Sequence, residues 1–223
     1  MQRIPEPEEL MDDAAQALAY ASADFSEANA LFVGLVEQAP AAALRGRLLD
    51  LGCGPAEIPL TLARRHPALE IDAVDGAPAM LELARAALAG DADAAGRVQL
   101  LCEYLPCERL PRQAYGLVAS NSLLHHLADP AVMWQTVARC ARPGAYVVVM
   151  DLARPASEIA LESLVESYAL DEPEVLRRDF RNSLFAAYTP AEVEAQLQAV
   201  GLHGLAVAMV SDRHLAVTGQ LPG

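Results

Sequence analysis

No lysine occurs in these 223 residues; all sixteen basic side chains are arginine. That absence removes the phosphate-gripping lysine of a P-loop, the Schiff-base lysine of carbonyl chemistry and the Tyr/Lys pair of short-chain dehydrogenases. Cysteine is scarce as well: Cys53, Cys102, Cys107 and Cys140 form neither a CxxC pair nor a spacing typical of zinc. No metal site is expected, and the thiols read as those of a reduced, cytoplasmic protein. Although 53% of the residues are hydrophobic, no uninterrupted apolar run approaches the roughly 18 residues of a membrane span. The stretch Met1–Glu9 is acidic and has no signal-peptide hydrophobic region. Thirty acidic residues against sixteen arginines leave a net charge of −14. Phosphate neutralisation supplies most nucleic-acid affinity, so no nucleic-acid partner is expected, although a local arginine can still hold a small anion. A chain of this length fits one α/β domain with additions; its oligomeric state stays open, a dimer included.

What the chain does have is a glycine turn after an apolar run, Leu48-Leu49-Asp50-Leu51-Gly52-Cys53-Gly54-Pro55-Ala56, with Asp75 closing the next apolar run. Arg47 to Leu51 is short and apolar between two glycines, as expected of a strand buried on both faces. Gly52 and Gly54 permit positive φ and let backbone approach a ligand closely. Pro55 suits the first turn of a helix that ends near Arg64-Arg65-His66-Pro67. A carboxylate at Asp75 can accept hydrogen bonds from both hydroxyls of a ribose; the plainer alternative is that it only caps the helix starting near Pro78. The dinucleotide fingerprint needs a third glycine, and Glu57 stands there instead. A carboxylate at a helix N-terminus is a poor neighbour for pyrophosphate and a tolerable one for a sulfonium or ammonium group.

Together with Asp75, the block Leu48–Ala56, the run Ser120-Asn121-Ser122-Leu123-Leu124-His125-His126-Leu127 and Arg142-Pro143-Gly144 before an apolar strand resemble a class I S-adenosylmethionine-dependent methyltransferase. Within that superfamily the chain is similar to the small-molecule group that includes the ubiquinone/menaquinone C-methylases. The resemblance runs in order from about residue 46 to 152, with a weaker echo to 218. It implies S-adenosylmethionine as cofactor, S-adenosylhomocysteine as product and a small-molecule acceptor. It also implies a cofactor site from Asp50, Gly52, Cys53 and Gly54 beside the methionine part, Asp75 on the ribose, and Gly76 and Met80 near the adenine. Such enzymes often carry Gly-Asp-Ala after the third strand, the acid accepting from the adenine amino group. Here Glu103-Tyr104-Leu105 stands there, so Tyr104 and the Leu105 backbone N–H are the adenine candidates. Asn121 aligns with the position whose backbone lines the methyl-donor site.

The order of elements predicts a Rossmann-like, seven-stranded, mostly parallel sheet with helices on both faces and an antiparallel C-terminal strand. Strands are expected at 47–51, 70–75, 98–102, 115–120, 145–151, 205–210 and 215–218, the last two as a hairpin turning at Asp212-Arg213. Residues 6–45 read as amphipathic helix, with Leu10, Ala14, Ala17 and Leu18 on one stripe. Residues 153–188 break the alternation with helical sequence at 156–170 and 173–180. Together with residues 1–45 this insert is expected to form a lid on the domain 46–223. Thr189-Pro190-Ala191-Glu192 starts a capped helix that ends at Gly201.

Methyl transfer from a sulfonium needs an aligned nucleophile and exclusion of water, and a general base only where the acceptor starts protonated. His125 and His126 are the base candidates, against the plainer reading of a structural histidine pair; His203 and His214 read as surface or sheet-end residues. Tyr188 is a further catalytic candidate. Arg154 can clamp an anionic substrate or the cofactor carboxylate, or else form an ion pair with Asp151 or the lid. Tyr20, Phe25, Tyr168, Arg181 and Phe185 are lid and pocket candidates. Two other classes compete with the enzyme reading. One is a catalytically silent cofactor-binding scaffold of the same fold. The other, a nicotinamide oxidoreductase, is disfavoured by Glu57 and the missing lysine. Nucleic-acid N-methylation lacks its Asn/Asp-Pro-Pro-Tyr/Phe motif after the fourth strand.

Overall fold

The computed structural model describes residues 1–7, 10 and 12–223. Its centre is a seven-stranded sheet of order β3-β2-β1-β4-β5-β7-β6. The strands are β1 (Gly46–Leu51), β2 (Leu69–Asp75), β3 (Val98–Cys102), β4 (Tyr115–Asn121), β5 (Ala141–Leu152), β6 (Leu205–Met209) and β7 (His214–Gln220). Strands β1 to β5 pair in parallel, and β7 runs antiparallel to both β5 and β6. The expected fold class and terminal hairpin are thus present.

Each parallel strand alternates its side chains between two apolar layers. Leu49, Leu51, Val147 and Val149 join Trp134, Val193 and Leu197 on one face. Leu48, Val148 and Met150 join Phe32, Leu62 and Leu81 on the other. The helices supplying the first layer are α6 (Ala131–Cys140) and α9 (Pro190–Ala199). Those supplying the second are α2 (Ser26–Val36), α3 (Glu57–Arg65) and α4 (Pro78–Ala89), with the short α5 (Ala92–Ala95) beside them. Thr189 caps α9 through a complete capping box with Glu192. The sheet order reverses between β1 and β4, which opens a crevice at the carboxyl ends of those two strands.

Over that crevice lie α1 (Ala14–Ser22), α7 (Glu158–Ala169) and α8 (Glu174–Ala186). The helices α7 and α8 share a small apolar cluster of Leu161, Val165, Leu184 and Phe185. Apolar Leu184 and Phe185 carry α8 past the expected end at 180. No helix among the described residues is long and apolar enough to cross a membrane.

Four local expectations are corrected. Within the helical segment expected at 6–45, helix is confined to α1 and α2 among the described residues. Asp13 caps α1 through Gln16 N–H, Leu18 is 58% exposed, and residues 37–45 form turns. The expected helical positions Glu8, Glu9 and Met11 fall outside the described residues. Pro55 precedes its helix, because Ala56 takes a left-handed φ of 65° as N-cap and α3 begins at Glu57. Strand β5 starts at Ala141, directly after α6, and thus takes in the Arg142-Pro143-Gly144 turn signal.

Candidate functional site

Three cavities meet in the crevice, and two side chains, Tyr20 and Asn121, line all of them. The largest, about 490 Å³, runs past Gly52, Gly54, Asp75, Gly76, Met80, Tyr104 and Leu105. A small one of about 50 Å³ lies against Cys53, Gly54 and Glu57. The third, about 230 Å³, lies between the end of β5 and helices α1, α7 and α8.

The glycine turn is held rigidly. The N–H groups of Gly52 and Cys53 donate to the Val74 carbonyl at 2.8 and 3.0 Å, tying the turn to the end of β2. Gly52 has φ +75°, and a Cβ there would stand 2.9 Å from Leu123 Cβ. Asp75 accepts from Gly54 N–H and from Ala77 N–H, each at 2.8 Å. Burial pushes the Asp75 carboxyl up; those N–H groups and the charge of His126 pull it back only in part. Asp50, in β1, is buried, is absent from the lining of the three cavities, and is raised to about 7 by burial and by the charge of Asp75.

The adenine candidates lie at the rim. Tyr104 is 62% exposed, and its ring sits 3.4 Å from where a Cβ on Gly76 would stand. Glu103, in the place of the expected acid's neighbourhood, pairs with Arg109.

The histidines form two carboxylate–imidazole pairs. His125 Nδ1 meets Asp151 Oδ1 at 2.6 Å, and Asp151 also accepts from the N–H groups of Leu124 and Leu152, both at 2.7 Å. Burial disfavours a charged His125, yet the charge and hydrogen bond of Asp151, with the charge of Glu6, raise its pKa above the ordinary value. His126 Nδ1 is bonded to Glu6, and Ser183 Oγ donates to the other Glu6 oxygen at 2.6 Å. Burial opposes charge on Glu6 too, but His126, His125 and Ser183 bring its carboxyl down to about 2. The two rings stack with centroids 4.0 Å apart. His125 lines the third cavity; His126 lines both that cavity and the cleft at Asp75.

Tyr20 and Phe25 stand where a pocket wall was expected, their rings 4.6 Å apart. The Tyr20 hydroxyl is pushed up to about 12 by burial and by the charges of Asp75, Asp151 and Glu57, so it is a neutral donor. Tyr168 lines the third cavity as well.

Like Asp50, and like Phe185 in the apolar cluster of α7 and α8, three more expected site residues line none of the three cavities. Tyr188 is buried in the core, its hydroxyl donating to Leu127 O at 3.0 Å under the guanidinium of Arg3. Arg154 spends its donors on Met1 O, Ala187 O and Glu192, so the anion-clamp expectation is not met. Arg181 pairs with Glu162 and lies over Phe185, joining α8 to α7. In each case a nearer partner on the folded chain takes the polar group. His214, expected at the surface or a sheet end, opens β7, where it is buried at the third cavity and held down to about 4 by burial and by Arg213. The exposed position of His203 agrees with expectation.

Glu6, Gln16, Ser122, Asp151, Asp179 and Arg213 belong to the site and were not singled out as such. Only Asp151 carried a signal, as an acid at the carboxyl end of a parallel strand.

The site suits an adenosyl sulfonium. Asn121 Oδ1 is buried without a hydrogen-bond partner, an orphaned acceptor that a ligand donor would satisfy. The glycine turn leaves backbone bare, and Asp75 and Glu57 line it with carboxylates for a cation. Comparison with known proteins agrees. Residues 49–149 match the family described as "Methyltransferase domain". Over residues 49–149 and in its fold, the chain is thus similar to the class I S-adenosylmethionine-dependent methyltransferases.

Among curated proteins it is 27% identical to a ubiquinone biosynthesis O-methyltransferase of Xylella fastidiosa, over 70% of this chain and 61% of that protein. It is 30% identical to a trans-aconitate 2-methyltransferase of Methylobacterium radiotolerans, over 70% of this chain and 60% of that one. The chain thus spans about 60% of the length of these two relatives. A solved S-adenosylmethionine-dependent methyltransferase from Aquifex aeolicus shares the fold. Its TM-score is 0.67 at 18% identity, covering 94% of this chain and 98% of that one.

Proposed function

We propose that this chain transfers a methyl group from S-adenosylmethionine to a small acceptor by direct in-line displacement, without a metal. The observation that carries this reading is the meeting of the three cavities at Tyr20 and Asn121, with the Asn121 Oδ1 acceptor unpaired. The cleft at Asp75 takes the adenosine and the pocket at Cys53 the methionine part, which leaves the cavity of about 230 Å³ for the acceptor. S-adenosylmethionine, when bound, supplies a methyl group already activated on a sulfonium.

The chain's own residues then have three tasks. Asp75 accepts from the ribose hydroxyls while the turn N–H groups fix its orientation. Tyr20 and the helices α1, α7 and α8 close over the acceptor as a lid and exclude water; such positioning is worth on the order of 7–11 kcal/mol. His125 takes the acceptor's proton, and the imidazolium so formed is stabilised by Asp151.

The acceptor class follows from the lining. Asp24, Glu27, Glu172 and Asp179 face a cavity whose single arginine, Arg213, is spread over the Tyr168 ring and paired with Asp212 and Glu27. The relatives named above act, by their names, in ubiquinone biosynthesis and on trans-aconitate. For this chain the excess of carboxylates supports an acceptor with an ionisable proton and no negative charge, rather than a polycarboxylate. The free cysteines and the net charge support a cytoplasmic enzyme without a nucleic-acid partner.

Calorimetry with S-adenosylhomocysteine tests the reading. Binding by the wild type that weakens about 10- to 100-fold in Asp75→Ala is expected, as for loss of charge-assisted hydrogen bonds. No binding at all, or binding of NADH instead, would overturn it. Binding without methylation across a broad acceptor panel would mark a silent scaffold.

A further inference from the structure

Residues 1–7 form an extended strap laid along the end of α8 and the histidine turn. Ile4 N–H donates to Phe185 O at 3.0 Å. Arg3 Nη2 donates to the carbonyls of His125 and Leu127, both at 3.1 Å, and its Nε to Ala186 O at 2.5 Å. The strap therefore grips the 124–127 turn from outside through backbone groups.

Between these anchors and α1 comes Pro5-Glu6-Pro7. Pro7 biases Glu6 toward extended backbone, and Pro5 fixes its own φ, so the segment presenting the Glu6 carboxylate is stiff before any contact forms. That carboxylate is 9% exposed and has one oxygen on His126 Nδ1 and the other on Ser183 Oγ. His126 is the one histidine that lines both the cofactor cleft and the acceptor cavity.

We propose that Glu6 is a positioning residue of the methyl-transfer site: clamped by Ser183, it holds the His126 ring through Nδ1 and leaves Nε2 to the junction of the two cavities. The proposal rests on the reading of the cavities given above. An imidazole carries one proton on one of two nitrogens when neutral, and the partner of one nitrogen decides which. A carboxylate accepts only, so it draws the proton to Nδ1 and leaves Nε2 with its lone pair facing the acceptor. The arrangement repeats what Asp151 does for His125. Two adjacent rings are thereby held in the same tautomer, one by a carboxylate of the N-terminal segment and one by a carboxylate of β5.

One atom each from Glu6, His125 and His126 lie within 4.8 Å of one another, so the same trio has metal-ligand chemistry. Glu6, however, already has both carboxylate oxygens bonded, one to His126 and one to Ser183. The structure thus favours a proton-linked set over a metal site.

Ring ¹⁵N NMR on the full chain tests this. At a pH where the ring is neutral, wild-type His126 should show a protonated Nδ1 and an unprotonated Nε2. Glu6→Gln keeps an acceptor and should retain that pattern. Glu6→Ala should lose the Nδ1–H signal and move the proton to Nε2. The His125 ring, bonded to Asp151, should stay unchanged in both variants and so report an intact fold. Adding S-adenosylhomocysteine to the wild type should shift the His126 ring signals.

An unchanged His126 tautomer in Glu6→Ala would overturn the proposal. So would stoichiometric Co(II) binding with visible d–d absorption that Glu6→Gln abolishes, which would make the trio a metal site. Failure of the wild type to bind S-adenosylhomocysteine in calorimetry would instead remove the methyl-transfer reading, whatever the tautomers show.

Discussion

His125 and Asp151, bonded Nδ1 to Oδ1 at 2.6 Å with side chains 4% and 2% exposed, are a buried imidazole–carboxylate pair whose histidine lines the cavity under α1, α7 and α8. Asp151 has two further donors in the Leu124 and Leu152 N–H groups. Replacing it by asparagine turns an NH₂ toward one of these donors and leaves His125 without its counter-charge. Asp151→Asn should cost roughly 3–5 kcal/mol in urea denaturation, the usual result of breaking a buried pair. His125 has a folded pKa above its unfolded value of 6.5. The stabilisation from its charged form is therefore complete below that value and fades as pH rises through the folded pKa. The difference between wild type and variant should shrink as pH rises above the unfolded value of 6.5; a pH-independent difference would show that the charge on His125 plays no part.

Asp50 makes the opposite kind of prediction. It is buried in β1, and its pKa is raised from 3.8 to about 7 by burial and by the charge of Asp75. A carboxyl with a raised folded pKa favours folding while protonated, and that advantage disappears as pH climbs from the unfolded value through the folded one. Asp50→Asn has no such loss. The variant should match the wild type near pH 4 and exceed it at pH 8 by roughly 2–4 kcal/mol, each pKa unit being about 1.4 kcal/mol. Thermal melts at the two pH values decide it, and equal offsets at both would sink the idea.

At the glycine turn the constraint is steric. Gly52 has φ +75°, and a Cβ would stand 2.9 Å from Leu123 Cβ. Gly52→Ala should lose roughly 1–2 kcal/mol for the left-handed backbone and about 1–3 kcal/mol for overpacking. Adding Leu123→Ala should return the packing part and leave the backbone part. Denaturation of the single and double variants separates the two, and full recovery in the double variant would show that φ carries no cost here.

How far the sequence shows this site depends on how far each contact reaches along the chain. The strands β1 to β5 are legible because a strand buried on both faces is a near-continuous apolar run. The site's place at their carboxyl ends follows from the fold class. Gly52 and Asp75 are legible because a turn and the end of the neighbouring strand must meet. Glu6 is not: its partner His126 lies 120 positions away, and the flanking Pro5 and Pro7 stiffen the segment without specifying what it meets. Asp151 was legible as a strand-end acid but not as His125's partner, since the choice between Arg154 and His125 is made by the turn at 124–126. Tyr188 and Arg154 read as functional because aromatic and cationic residues near a lid fit a pocket wall as well as a helix junction. Only packing separates those roles.

Arg154 shows the separation most directly. Its guanidinium, 6% exposed, bonds Met1 O at 3.1 Å, Ala187 O at 3.0 Å and Glu192 Oε1 at 2.6 Å. Glu192 in turn accepts from Thr189 N–H at 2.8 Å in the capping box of α9. Arg154 thus ties the end of β5 to the N-terminal segment and to the start of α9. Arg154→Ala leaves two carbonyls and a carboxylate without their donor, and should cost about 2–4 kcal/mol. Arg154→Lys should recover little of it, because one ammonium on a flexible stem cannot reproduce a fork that serves three acceptors. Affinity for S-adenosylhomocysteine should be unchanged in both variants when measured well below their melting temperatures. A residue that clamped the cofactor carboxylate would give the reverse result, with affinity lost and stability kept.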